Sequence, residues 1–165
     1  MLEMHLAAVR VEFSTNTPIL LLQEISGGRR TLPIYIGPNE ATAIAYAIQR
    51  LTTPRPMTHD LMRDLLAELG ATVACVVITE VRDRTFFAEI RVHLAGRRVS
   101  VSARPSDAIA LAVRVGATIY AEEALLDAEG VVLQADEEAQ GEGDDDIVSE
   151  FRQFIEGVRP QDFEP

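Results

Sequence analysis

The fold is decided by ten residues near the middle of the chain, Thr85-Phe86-Phe87-Ala88-Glu89-Ile90-Arg91-Val92-His93-Leu94. Apolar and polar side chains alternate along this stretch, as in a strand that buries one face. Ala95-Gly96 then forms a turn, and the run Arg97–Ala103 predicts a second strand with Val99 and Val101 facing inward. We therefore expect an antiparallel hairpin over residues 85–103, and the nearly continuous apolar run 73–81 before it predicts a central strand.

Further elements extend from this hairpin in both directions. Short apolar runs bounded by turns predict strands at 4–13, 19–22, 31–36, 73–81 and 119–120. Helical patterns predict helices at 38–51, 58–69 and 105–115, and residues 122–126 are expected to form only a turn. Since the strands come in hairpins with helices between them, the fold class is α+β, with a mixed, largely antiparallel sheet and three core helices.

Charge is distributed unevenly along the 165 residues, whose formal net charge is −11. Residues 1–120 carry 13 Arg against 11 Asp and Glu, whereas residues 121–165 carry 2 Arg against 15 acidic residues. The body of the protein is therefore close to neutral, and its charge does not exclude a polyanionic partner such as nucleic acid. All the basic residues are Arg, whose planar paired donors suit phosphate and carboxylate groups.

Composition divides the chain into three segments. Residues 1–133 form the α+β domain, 134–146 an acidic linker that should not pack, and 147–165 a C-terminal amphipathic helix and tail. The apolar stripe of that helix consists of Ile147, Phe151, Phe154, Ile155 and Val158. We expect it to dock on its own body or on a partner subunit, and the alternative is that it binds a separate protein.

Compartment and membrane association are read from two features. No apolar run approaches the roughly 20 residues that a membrane span needs. Cys75 is the single cysteine, so the chain has no intramolecular disulfide, and its apolar neighbours predict a small core residue. We expect a cytoplasmic protein that does not enter the membrane.

Two short segments of the sequence share a pattern, and they are Arg55-Pro56-Met57-Thr58-His59-Asp60 and Arg104-Pro105-Ser106-Asp107. Each places Arg-Pro just before a hydroxyl residue and an Asp at a predicted helix start, and Gly37-Pro38-Asn39-Glu40 is a third helix start with an acid. Capping explains part of the pattern, with Thr58 and Ser106 as N-caps and the acids at the positive end of the helix dipole. Capping does not require the Arg, however, and a helix N-terminus beside Arg is a ready anion site.

His59 has two interpretations. It follows the predicted N-cap on the polar side of its helix, where a solvated histidine is the simpler expectation. The other interpretation is general acid–base or ligand chemistry, for which a pKa near neutrality suits imidazole. Acids nearby could hold a divalent metal that bridges to phosphate oxygens.

Four blocks of this sequence together resemble the bifunctional nuclease family, also called domain of unknown function 151, which occurs in bacteria and plants. The blocks are Pro33-Ile34-Tyr35-Ile36-Gly37-Pro38-x-Glu40-Ala41, Arg55-Pro56-x-Thr58-His59-Asp60-Leu61, Asp83-x-Thr85-Phe86-Phe87-Ala88 and Ala103-Arg104-Pro105-Ser106-Asp107-Ala108-Ile109-Ala110-Leu111. The resemblance covers about residues 4–127, and the terminal helix is similar to that of actinobacterial members.

The resemblance implies a compact α+β domain, a homo-oligomer, and nuclease activity on DNA and RNA. Residues that lie on the family blocks are Glu40, Arg55, His59, Asp60, Asp83, Arg104, Ser106 and Asp107. This chain departs from the expected pattern, which has Trp at Tyr35, Asp at Glu80, Gly at Arg84 and Tyr at Phe87. We expect a dimer, because the apolar content is high for a chain with nine aromatic residues.

Two hypotheses for the function follow. In the first, the protein is a metal-assisted nuclease that hydrolyses phosphodiester bonds of DNA, RNA or both. The roles are then as follows: Glu40, Asp60 and Asp107 hold Mg²⁺ or Mn²⁺, Arg55, Arg104 and Ser106 bind the phosphate, and His59, Asp60 and Asp107 are catalytic. In the second, the protein is a non-catalytic oligomeric module that regulates or binds a small anion. The placement of the three acids relative to one another separates the two hypotheses.

Overall fold

A computed structural model of the chain describes residues 1–12 and 14–132. The predicted acidic linker and the predicted C-terminal helix and tail lie outside the described residues. The described strands are β1 Leu2–Glu12, β2 Thr17–Glu24, β3 Thr31–Tyr35, β4 Ala71–Arg82, β5 Thr85–Leu94, β6 Arg97–Ala103 and β7 Thr118–Ala121. The described helices are α1 Pro38–Ile48, α2 Thr58–Glu68, α3 Pro105–Val115 and α4 Glu123–Glu129.

The strands form one seven-stranded sheet in the order β3-β2-β1-β7-β4-β5-β6. Neighbouring strands in the described sheet are antiparallel except β4 and β7, which are parallel. The predicted fold class, a mixed and largely antiparallel α+β sheet, is confirmed. The order makes β3 and β6 the two edges of the sheet.

Helix α3 occupies the middle of the helical layer and contacts both α1 and α2 as well as β4 and β5. Its residues 108–112 are all buried, as predicted from its nearly all-round apolar sequence. They pack in one core cluster with Leu20, Ile34, Ile44 and Ile78. The core thus fixes the first turn of α3 relative to the sheet.

Two local predictions are wrong. Val99 and Val101 are 37% and 48% exposed rather than inward, because β6 is an edge strand and the helices pack on β4 and β5 instead. Residues Glu123–Glu129 form α4 instead of a turn, because Leu125 and Leu126 bury against the core and stabilise a helix made of strong helix formers. Within residues 1–12 and 14–132, no helix is long and apolar enough to cross a membrane.

Two hairpin turns have an unusual backbone. The turn between β4 and β5 consists of Asp83 and Arg84, with φ of 48° and 62°, and that between β5 and β6 consists of Ala95 and Gly96, with φ of 49° and 75°. Positive φ at both central residues is the geometry of a type I′ turn, which matches the twist of the strands and favours Asn-Gly or Asp-Gly. Arg84 thus occupies a position that glycine fits best.

Candidate functional site at three helix N-termini

The first turns of α1, α2 and α3 each carry an acidic residue at the same position. The N-cap residues are Gly37, Met57 and Arg104, all extended, so the acid at the third helical position is Glu40, Asp60 and Asp107 respectively. The predicted N-caps Thr58 and Ser106 are therefore wrong, because each lies inside its helix. In α3 this follows from Pro105, which occupies the first helical position, where its fixed φ and missing N–H are accommodated.

Arg104 joins two of these acids. Its Nε and Nη2 donate to Oδ2 and Oδ1 of Asp107 at 2.7 and 3.1 Å, and its Nη1 lies 2.9 Å from Oε1 of Glu40. The Arg104 side chain is 66% exposed, whereas those of Glu40 and Asp107 are 20% and 24% exposed. An accessible guanidinium therefore lies over two mostly buried carboxylates.

His59 completes the contacts of Asp107. It is buried, and its Nε2 lies 3.0 Å from Asp107 Oδ1, which excludes the predicted alternative of a solvated histidine. Burial alone would raise the pKa of Asp107, but the bonds from Arg104 and His59 outweigh it and lower that pKa. Asp107 is therefore ionised near neutral pH and orients the His59 ring.

Glu40 depends on the absence of a side chain at Gly37. A Cβ at Gly37 would lie 2.2 Å from Oε2 of Glu40. The φ of Gly37 is −75°, so any residue could adopt this backbone and the requirement for glycine is one of space. The glycine before α1 thus leaves room for the carboxylate that reaches Arg104.

Asp60 takes part in a different set of contacts. It accepts bonds from Nε of Arg114 at 2.6 Å and from the backbone N–H of Met57 at 3.1 Å. The Arg114 side chain is 4% exposed and also donates to the carbonyls of Ala110 and Ala43. Burial would raise the pKa of Asp60, but these donors, Arg114 first, lower it. Asp60 therefore caps α2 and links all three helices.

The remaining predicted residues are split between the site and its surroundings. Ser106 is buried and lines a cleft together with Glu40 and Arg104. Arg55 and Asp83 are exposed, the first in the loop before α2 and the second in the hairpin turn before β5, and neither lines a cleft described here.

Two open clefts meet at Glu40 and Arg104. The first, of about 360 Å³, is also lined by Tyr35, Arg84, Phe86 and Ser106. The second, of about 320 Å³, is lined by Asn39, Thr42, Met57, Thr58, His59 and Asp107 besides the two shared residues. Sequence reasoning did not place Tyr35, Arg84 and Phe86 in the site, although Tyr35 and Phe86 lie within the family blocks and Arg84 stands where the family pattern has Gly.

The residues present fit a divalent metal only in part. Across residues 1–12 and 14–132, no group of three or more His, Cys, Asp and Glu side chains is placed to hold a metal ion. Three acids were expected to converge. The structure brings Glu40 and Asp107 together at Arg104, whereas Asp60 pairs with Arg114 instead. Two carboxylates match the way Mg²⁺ binds through one or two acids together with substrate phosphates, rather than in a cage made only of protein ligands.

Comparison with known proteins gives the same assignment as the sequence blocks. An uncharacterized protein of Mycobacterium tuberculosis (strain ATCC 25618 / H37Rv) is 45% identical over 163 residues, which cover 98% of this chain and 97% of that protein. Bifunctional nuclease 2 of Arabidopsis thaliana is 27% identical over 72% of this chain and 37% of its own length. Bifunctional nuclease 1 of Oryza sativa subsp. japonica is 24% identical over 64% of this chain and 33% of its own length. The profile of the bifunctional nuclease domain matches residues 20–134, and the chain therefore belongs to the bifunctional nuclease domain family.

Proposed function

We propose that this protein is a nuclease that hydrolyses phosphodiester bonds at the site around Arg104. The observation that carries the proposal is the set of contacts in which accessible Arg104 bridges Glu40 and Asp107 while buried His59 binds Asp107. Arg binds phosphate through paired donors, and a carboxylate-bound imidazole is suited to transfer a proton. Both functions assist the attack of water on a phosphodiester, by offsetting the charge on its oxygens and by moving a proton.

Each residue has a proposed role. Arg104 and Ser106 bind the scissile phosphate, and Arg104 neutralises the charge that develops on its oxygens. His59 takes or gives a proton, and Asp107 stabilises the imidazolium that forms. Mg²⁺ or Mn²⁺ would be held by Glu40 and Asp107 with phosphate oxygens, and when bound it would activate water and offset phosphate charge. Asp60 is left out of the catalytic set because its contacts with Arg114 and Met57 explain it.

The test is cleavage of labelled DNA and RNA by the purified protein with Mg²⁺ or Mn²⁺ and with EDTA. We expect cleavage only with the divalent cation, and a loss of about 100-fold or more in His59→Gln and Asp107→Asn. Asp64→Asn, on the same helix but paired at the surface with Arg63, should retain full activity. Undiminished cleavage by both site variants, with wild-type circular dichroism, would refute the assignment.

The second candidate function is a non-catalytic module that binds a small anion. The observation in its favour is that accessible Arg104 is the N-cap of α3, and a helix N-terminus beside Arg is a ready anion site. This candidate predicts binding of phosphate or nucleic acid without cleavage under any metal condition, so the same assay separates the two.

We also propose that the protein acts as a homodimer in the cytoplasm. Leu61 and Leu65 of α2 and its C-cap residue Leu69 follow one another at helical spacing, and they are 49%, 52% and 69% exposed. A second copy that covers this stripe would remove the leucines from water. The cytoplasmic setting is proposed from the single cysteine, which is typical of a reducing compartment.

A further inference from the structure

The cleft beyond Arg104 has aromatic walls. Tyr35, at the end of β3, is 57% exposed, and Phe86, at the start of β5, is half-buried. The Tyr35 hydroxyl donates to Oε2 of Glu12 at 3.2 Å, and this carboxylate raises the pKa of Tyr35. The ring is therefore tethered at its outer end while much of its surface stays open to a ligand.

Arg84 also lines this cleft and adds a guanidinium group to it. Among residues 1–12 and 14–132, no hydrogen bond or ion pair engages its guanidinium. Arg82, two residues earlier in the hairpin, pairs instead with Glu80 and lies over the Phe87 ring at 4.7 Å. Of the two hairpin arginines, Arg84 is thus the one free to meet an anion.

The backbone of Arg84 strengthens this interpretation. Its φ of 62° lies in the left-handed region, where a side chain with a Cβ is strained and glycine is not. Strained backbone is concentrated at functional sites, and of the described arginines with positive φ, which are Arg29, Arg50 and Arg84, it is Arg84 that lines this cleft. A large cation at a turn position suited to glycine, on the wall of a cleft, points to ligand contact.

We infer that this cleft binds an unpaired nucleotide of a single-stranded nucleic acid, with its base against Tyr35 and Phe86 and its phosphate on Arg84 and Arg104. The inference rests on the proposed function and names its substrate class. Base–aromatic stacking requires an unstacked base, which single strands supply and an intact duplex does not. A phosphate held between Arg84 and Arg104 would lie beside Glu40, at the boundary between the two clefts.

The experiment measures binding of fluorescently labelled oligothymidylate, and of a duplex of the same length, by fluorescence anisotropy in EDTA. We expect Tyr35→Leu to weaken single-strand binding by about fivefold or more, as for the loss of one stacked base. Tyr35→Phe, which keeps the ring but loses the bond to Glu12, should bind within about twofold of wild type. The duplex should bind more weakly than the single strand.

The variant Arg84→Gly tests both the charge of the Arg84 side chain and the strain of its backbone. We expect about tenfold weaker single-strand binding, and a slope of log affinity against log salt that is smaller by about 0.7, as for one lost phosphate contact. Its Tm should be no lower than that of wild type, because glycine relieves the positive φ. Ala95→Gly is the matched control, since it makes the same relief at the other hairpin turn and should leave binding unchanged.

The outcomes separate this inference from the proposed nuclease. Wild-type binding that is unchanged by Tyr35→Leu and Arg84→Gly, or equal affinity for duplex, overturns the inference even if cleavage depends on His59. Binding that depends on both residues without any cleavage supports the inference and refutes the nuclease. A lower Tm for Arg84→Gly together with unchanged binding would show that Arg84 is structural and would also overturn the inference.

Discussion

Nε2 of His59 lies 3.0 Å from Oδ1 of Asp107, although 48 residues separate the two in the chain. This pair joins the first turn of α2 to the first turn of α3. Because Arg104 binds the same carboxylate from the solvent side, Asp107 lies between a buried base and an exposed cation. The proposed proton transfer and phosphate binding therefore share one residue, which explains why Asp107 should be the least replaceable residue of the site.

Asp60→Asn should destabilise the fold without abolishing nucleic-acid binding. The change leaves Arg114, which is 4% exposed, without its ionic partner, and the expected loss is about 2–4 kcal/mol of the free energy of unfolding. Asp64→Asn should cost under about 0.5 kcal/mol, because its pair with Arg63 is exposed. Urea unfolding monitored by circular dichroism measures both. Equal stabilities for the two variants would contradict the structural role of Asp60.

The contribution of Asp60 to the free energy of unfolding should depend on pH in the acid range. Its pKa is lowered in the folded state from the ordinary value of 3.8, so the ionised form stabilises the native protein. This stabilisation is complete above about pH 5 and is lost as the pH falls through the folded-state pKa. The stability difference between wild type and Asp60→Asn should therefore be constant from about pH 5 to 7 and shrink in more acid solution. Unfolding curves across this range check the sign, and a difference that grows on acidification would disprove it.

Gly37→Ala should reduce activity more than stability. The new Cβ would approach Oε2 of Glu40 to 2.2 Å, and the flexible Glu40 side chain can move away at little cost to the fold. Its carboxylate would then leave Arg104, and we expect about 10–100-fold slower cleavage with a change in unfolding free energy under about 1 kcal/mol.

Gly28→Ala provides the control for that substitution. A Cβ at Gly28 would meet its nearest neighbours at 3.7–3.8 Å, which is ordinary contact, and Gly28 lies between β2 and β3 and lines neither of the two clefts. Steady-state cleavage rates of the two alanine variants, compared at equal folded fraction, make the test. Equal rates would show that the position of Glu40 does not matter for the reaction.

Leu65→Glu should convert the proposed dimer to a monomer. The side chain is 52% exposed within one copy, so a charge there costs little until a second copy covers it. Ala67→Glu, on the same helix and also exposed, should leave the dimer intact. Light scattering at micromolar concentration gives the mass. An 18.1 kDa wild-type species would disprove the dimer, and a Leu65→Glu variant that keeps the dimer mass would show that the stripe is not its interface.

Much of the fold follows from local patterns in the sequence. The alternation over Thr85–Leu94 predicts β5, and the burial of Ala88, Ile90 and Val92 confirms its inward face. The nearly continuous apolar sequence of α3 predicts its burial in the same way. Neither of these two predictions requires knowledge of distant residues. The spacing of apolar side chains along the chain is enough to show which face of a strand or helix is buried. The sequence blocks also sufficed to identify the family.

The tertiary structure decided which acids belong to the site. Glu40, Asp60 and Asp107 occupy equivalent positions in three helices, and their local sequences predict the same capping role for each. Packing of α2 across α3 brings Asp60 to Arg114 and His59 to Asp107, which local sequence does not encode.

The sequence by itself determined the strands, three of the four described helices and the family of this protein, since these depend on side-chain periodicity and on contiguous motifs. Only the tertiary structure brought Tyr35, from the edge strand β3, to the same cleft as Arg104, which follows the opposite edge strand β6. It also placed Arg84 there with positive φ. The physical reason is that the contacts of a side chain depend on how distant segments of the chain pack together. The free energy of that packing is a sum over the whole domain, so no local stretch of sequence specifies it.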